Sequence, residues 1–133
     1  MENSNQKITT FLMFPGTAEE AMKHYTSIFD QSEIISISRN ETAAEGKVLH
    51  ATFSLKGQLF MCIDNSNKDV HQFTPAMSLF VSCDTEEEID RVFDKLSQDG
   101  AVLMPLTASP WSAKFAWVQD KYGVSWQLNL AKM

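Results

Sequence analysis

Apolar and polar residues recur along this chain with two different periods, and the two take turns. Apolar stripes at i, i+3, i+4 and i+7 mark helices, and strict alternation marks strands. Ile89, Val92, Phe93 and Leu96 form one helical stripe; Ala21, Met22, Tyr25, Ile28 and Phe29 form another. Each begins at a Thr-x-x-Glu box, Thr17 to Glu20 and Thr85 to Glu88. In such a box the Thr hydroxyl accepts from an early helical N–H, and the Glu reaches back to the cap N–H. Asp99-Gly100 stops the second helix.

A short apolar run precedes each helix, at 8–14 and 77–83, and three strand-like runs follow it. They cover 33–39, 47–55 and 58–64 in the first half, and 101–106, 113–120 and 124–130 in the second. Both final hairpins turn at a glycine, Gly57 and Gly123. The pattern predicts βαβββ twice, an α+β fold in one domain over 1–133. Module one covers about 7–64, a connecting loop 65–75, and module two about 76–130.

Alternation also assigns faces. Leu49, Ala51, Phe53 and Leu55 are expected against the first helix, with Val48, His50, Thr52 and Ser54 opposite. Val124, Trp126, Leu128 and Leu130 oppose Ser125, Gln127 and Asn129, while Leu79, Val81 and Cys83 oppose Ser78, Phe80 and Ser82. The polar faces also carry aromatics. Such a mixed face suits the wall of a half-open, ligand-sized cleft; the plainer alternative is a sheet face wetted by solvent.

Composition narrows the classes. Hydrophobic residues are 44% and charged ones 21%, as in a soluble globular protein. No apolar run reaches membrane-span length, and the polar start "MENSNQK" has no apolar signal region. Cys62 and Cys83 suit reduced thiols better than a disulfide scaffold, so a cytoplasmic location is expected. The net charge is −6 and the 11 basic residues are scattered, which argues against nucleic acid and anionic membrane as partners. No GxGxxG, P-loop, HExxH or CxxC pair is present.

Four stretches carry a resemblance: "FLMFPGTAEEAMKHYTSIF", "HATFSLKGQLFMCID", "PAMSLFVSCDTEEEID" and "KFAWVQDKYGVSWQLNL". With the duplicated βαβββ unit, they resemble the vicinal oxygen chelate superfamily, the glyoxalase and bleomycin-resistance fold. Within it they resemble the PhnB-like branch, some members of which carry the name demethylubiquinone methyltransferase. The resemblance implies two curved four-stranded sheets around a cavity, and a homodimer, in some members with exchanged elements. A methyltransferase using S-adenosylmethionine usually has a Gly-rich loop after a first strand and a following acidic residue; neither is found in this sequence. Fold-level analogy does not establish an activity.

The resemblance further implies where a metal would be held. Metal-dependent members use His or Glu from the first and last strand of each half. The first-strand position lies six residues before the residue that opens the helix, Ser78 before Asp84 and Thr10 before Gly16. The last-strand position lies four residues after the hairpin glycine, Met61 and Gln127. None of these four is an imidazole or a carboxylate, and a divalent ion needs about three such ligands. No metal and no cofactor are expected.

His50 is the titratable residue on an expected cleft face. An imidazole there can act as general acid or base, or can simply be hydrogen-bonded on a sheet. Phe80 belongs to the mixed face, whereas the facing of Trp111, Phe115 and Trp117 stays open. Trp111 follows Pro110 in the stretch 107–114, a candidate lid or dimer contact with Lys114 at its end. Asp64 and Asp120 read as turn residues. The expected ligand-binding residues are Thr10, His50, Met61, Ser78, Phe80, Trp111 and Gln127. The expected function is binding of a small organic molecule in a metal-free cleft. The alternative is a metal-independent enzyme using His50; methyltransferase-like activity, or a metal-dependent lyase or dioxygenase, stands behind both.

Overall fold

The repeat read from the pattern reappears as two βαβββ units in the structure, a computed structural model that describes residues 6–40, 47–65 and 71–132. Residues 1–5, and 66–70 of the expected connecting loop, lie outside the described ones. Unit one, residues 1–71, holds β1 (Thr10–Phe14), α1 (Ala18–Ile28), β2 (Glu33–Arg39), β3 (Val48–Leu55) and β4 (Gln58–Asp64). Unit two, residues 72–133, holds β5 (Ser78–Cys83), α2 (Glu86–Ser97), β6 (Ala101–Thr107), β7 (Ser112–Gln119) and β8 (Ser125–Ala131). The sheets run β1-β4-β3-β2 and β5-β8-β7-β6. In each, the first and last strands pair in parallel and the other pairs are antiparallel.

Each sheet has one face under its helix, α1 over β2–β4 and α2 over β5–β8. Phe14, Phe53, Met22 and Tyr25 are fully buried in unit one; Trp126, Leu128, Ile89 and Val92 are in unit two. Each such side chain contributes roughly 1.5–3 kcal/mol, against the entropy of ordering the chain.

The helix starts differ from each other. At α2 the Thr85 hydroxyl accepts from the Glu88 N–H at 3.0 Å, and the Glu88 carboxylate accepts from the Asp84 N–H at 2.7 Å. At α1 the Thr17 side chain makes no cap bond, contrary to the expectation from its box. Asp64 replaces it: Oδ1 accepts from the Ala18 N–H at 2.8 Å and Oδ2 from the Val48 N–H at 3.0 Å. A carboxylate at a helix N-terminus is stabilised by the helix dipole, so Asp64 ties β4, α1 and β3 together.

One face assignment is corrected. The β2–β3 register passes from Ser38↔His50 to Arg39↔Val48, a bulge that leaves Leu49 unmatched. Leu49 is therefore 55% exposed, and Val48 takes the helix-side place at 1%. Beyond the bulge, Ala51, Phe53 and Leu55 are buried as the alternation predicts.

Two turns need glycine. Lys56 and Gly57 both have positive φ, 51° and 82°, as a two-residue hairpin loop requires. At Gly100 the need is space: a Cβ would lie 2.2 Å from the Gln119 carbonyl oxygen.

Candidate functional site

Across from its helix, the unit-two sheet presents three cross-strand rows. Side chains of residues paired across a sheet share a face. The rows are Ser78, Ser125, Gln119 and Ala101; Phe80, Gln127, Trp117 and Met104; Ser82, Asn129, Phe115 and Thr107. None of these twelve is an Asp, Glu, Lys, Arg or His. Phe80 is 59% exposed, while Trp117 and Gln127 beside it are half-buried.

A hydrogen-bond chain is built into this face. The Trp117 indole N–H donates to Ser125 Oγ at 2.8 Å, and Ser125 Oγ lies 2.6 Å from Ser78 Oγ. At the far end the Ser112 hydroxyl donates to Asn129 Oδ1, and the Gln119 amide donates to the Gly123 carbonyl at 2.9 Å. The helix-side face below is dry: Trp126, Val118, Leu128 and Ala116 are buried. Asp120 is also buried, and its carboxylate accepts from the N–H groups of Tyr122 and Val124 and from the Trp126 indole. Asp120 thus organises the turn between β7 and β8.

The equivalent face of unit one differs in that it carries a titratable side chain, His50. Phe11, Met61, Thr52 and Ser36 form its central row. His50, paired with Ser38, stacks on Phe11 with ring centroids 6.3 Å apart and 29° between planes. Met61 and Gln127 hold matching places in the two sheets, opposite Phe11 and Phe80.

The sequence-derived residues are thus placed as follows. Ser78, Phe80 and Gln127 lie together on the unit-two face, and Met61 and His50 on the unit-one face. Thr10 is displaced: it pairs with Phe60, which pairs with the fully buried Phe53, so its register is that of the helix side. The reason is an extra residue between strand and helix, Pro15-Gly16 where the second unit has Asp84 alone, which moves the count by one. Trp111 stands apart in the β6–β7 hairpin, 84% exposed, in a turn held by the Ser109 hydroxyl, which accepts from the Trp111 and Ser112 N–H groups at 3.3 and 3.0 Å. Lys114 does not serve this loop. It bridges to Glu86 and Asp90 of α2, both at 2.8 Å, and the Asp90 bond, then that of Glu86, holds its ammonium above the usual lysine range.

Two further participants are Trp117 and Ser125. The sequence leaves the facing of Trp117 open, and Ser125 is one of several alternating polar residues of β8. The pairing of Trp117 with Gln127 settles the first; the buried hydroxyl of Ser125 marks the second.

The donors present do not fit a divalent metal. Thr10, Met61, Ser78 and Gln127 offer hydroxyls, a thioether and an amide, all neutral, whereas such ions are held by imidazoles and carboxylates. Among the described residues no three His, Cys, Asp or Glu side chains gather to hold one. Cysteine nucleophiles are also disfavoured. Burial, and next the negative charge of Asp64, push the Cys62 thiol up to about 12, and Cys83 is buried too.

Comparison with known proteins comes to the same fold. The family model described as 3-demethylubiquinone-9 3-methyltransferase matches residues 6–129. A solved PhnB protein from Bacillus cereus is 67% identical, with a TM-score of 0.90 over 95% of this chain and 100% of that one. Protein YjdN of Escherichia coli is 23% identical over 94% of this chain and 95% of its own. A point mutant of the fosfomycin resistance protein FosX from Listeria monocytogenes, solved with Mn(II) and 1S,2S-dihydroxypropylphosphonic acid, is 13% identical. It shares the fold, with a TM-score of 0.63 over 100% of this chain and 96% of its own.

Proposed function

We propose that this chain, which belongs to the 3-demethylubiquinone-9 3-methyltransferase (PhnB-like) family, binds a small organic molecule on the open sheet faces without a metal ion. One observation carries the reading: the twelve-position face of unit two bears no charge while 21% of the chain is charged. A sheet face kept merely for solvent would draw on Lys and Glu, the residues most at home in water. This face instead offers the flat surfaces of Phe80 and Trp117 beside the amide of Gln127. Aromatic walls with a few placed polar groups are the chemistry of ligand sites. A thermal-shift screen of small aromatic metabolites and antibiotics tests it, because a ligand bound only to the native state raises the melting temperature by mass action.

A second reading is an enzyme of metal-independent acid–base chemistry. Its support is the exposed imidazole of His50, stacked on Phe11. The variant His50→Ala separates the two: lost turnover with retained affinity makes the protein an enzyme, and unchanged behaviour leaves a binding protein. The family description alone carries no methyl transfer to this chain.

The reading includes a homodimer. Val102, Leu103 and Met104 are 48%, 38% and 45% exposed on β6, the outer strand of its sheet, and Trp111 is 84% exposed at its hairpin. A second copy covering these apolar side chains would remove them from water. Light scattering at micromolar concentration checks it, and a monomer refutes it. Cytoplasmic placement and the absence of nucleic-acid partners belong to the same reading, supported by two buried cysteine thiols and a net charge of −6. No helix among the described residues is long and apolar enough to cross a membrane.

A further inference from the structure

The geometry points to an uncharged, planar, carbonyl-bearing molecule, an aromatic amide or a related neutral compound, as the ligand of the unit-two face, with the Ser78 hydroxyl as the donor to its carbonyl oxygen. The inference rests on the binding reading above and narrows it to a chemical class.

The direction of the hydrogen-bond chain decides what Ser78 can offer. Trp117 Nε1 can only donate, so Ser125 Oγ accepts there. Ser125 is 1% exposed, and the other partner of its hydroxyl is Ser78 Oγ at 2.6 Å. If Ser78 were the donor in that pair, Ser125 would accept twice and its own hydrogen would be buried without an acceptor, which costs the full desolvation of that hydroxyl. The favoured order is therefore Trp117 to Ser125 to Ser78. Ser78 then accepts within the chain, and its hydrogen is directed to the half-exposed face. Successive bonds of this kind polarise one another, so the terminal hydroxyl is a better donor than an isolated serine.

The rest of the face fixes the charge. With no cation in any of its three rows, a carboxylate or phosphate would give up water for neutral donors alone, in a protein whose net charge is already −6. With no carboxylate in those rows, an ammonium would be left with neutral acceptors and aromatic faces, and no opposite charge. A neutral carbonyl needs only what is present. Gln127, in the row beside Ser78, adds one donor and one acceptor, which matches an amide edge. Phe80 and Trp117 flank Gln127 in its own row, so a planar group has a surface to lie on.

The test is a thermal-shift and calorimetric panel of aromatic scaffolds in matched triplets, such as 2-naphthamide, 2-naphthoate and 2-naphthylmethylammonium, on the full chain. Binding is expected among the amides. Ser78→Ala should weaken them about tenfold, the loss of one good hydrogen bond. Ser78→Thr, which keeps a hydroxyl, should restore most of the affinity. Preferential binding of the carboxylates or ammonium ions overturns the ligand class and leaves the binding reading standing. Amide binding indifferent to Ser78→Ala overturns the donor assignment. A panel, screened together with the wider metabolite set, that shows no binding at all overturns both.

Discussion

Trp126 gives its indole N–H to Asp120 at 2.8 Å, and both side chains are buried beneath the sheet. The same carboxylate accepts from the Tyr122 and Val124 N–H groups at 2.8 and 3.0 Å, so one residue joins the last turn to the core. Asp120→Ala leaves these donors unsatisfied and should destabilise the protein by about 3 kcal/mol. Asp120→Asn should cost less, about 2 kcal/mol, because the amide oxygen can still serve the backbone while its NH2 opposes the indole. Urea unfolding checks both, as a lower midpoint with an unchanged slope.

Gly100 is a matter of space. An added Cβ at 2.2 Å from the Gln119 carbonyl meets backbone, which cannot swing away. Gly100→Ala should destabilise by about 2–3 kcal/mol, as overpacking does, although alanine is the better helix and strand former. The melting temperature measures it.

The Glu19 carboxylate is held below its ordinary value of 4.5, first by the hydrogen bond from Arg39 and then by the charges of Arg39 and Lys23. A lowered folded value means stability that is present above the ordinary value and lost as pH falls through the folded one. The pair is on the surface, so its contribution is about 0.5 kcal/mol and falls with salt. Arg39→Gln should move the Glu19 titration up toward 4.5, observed by NMR, and its effect on stability should be full above that pH and fade as pH falls below it.

Cys62 should be inert in the native protein. Its thiol stands at about 12 and it is fully buried, and Cys83 is buried with it. At pH 8, Ellman's reagent should modify both thiols in denaturant and neither at a comparable rate in the native state. Fast native labelling of Cys62 would contradict the burial.

Much of this was legible in the residues. The two βαβββ units, the buried stripes of both helices and the sharing of a face by Ser78, Phe80 and Gln127 follow from periods of 3.6 and 2, which depend on local geometry alone. What was not legible depends on single insertions and on distant partners. The bulge at Leu49 reverses a strand's faces between one residue and the next, and the alternation of apolar residues there does not show it. Thr10 missed the open face because Pro15 adds one residue before α1. The cap of α1 comes from Asp64, 46 residues away, rather than from the local Thr17. The Trp117–Ser125–Ser78 chain joins three strands, so no spacing along the sequence marks it.

The central claim is that Gln127 and its neighbours hold a neutral organic ligand in place of a metal. The most direct measurement is a calorimetric titration of the tightest aromatic amide from the panel into protein purified without a His tag, with and without EDTA. The account predicts the same Kd in both conditions, and a Kd about tenfold weaker in Gln127→Ala. Binding that disappears with EDTA and returns with Mn(II) or Zn(II), or that is untouched by Gln127→Ala, would contradict it.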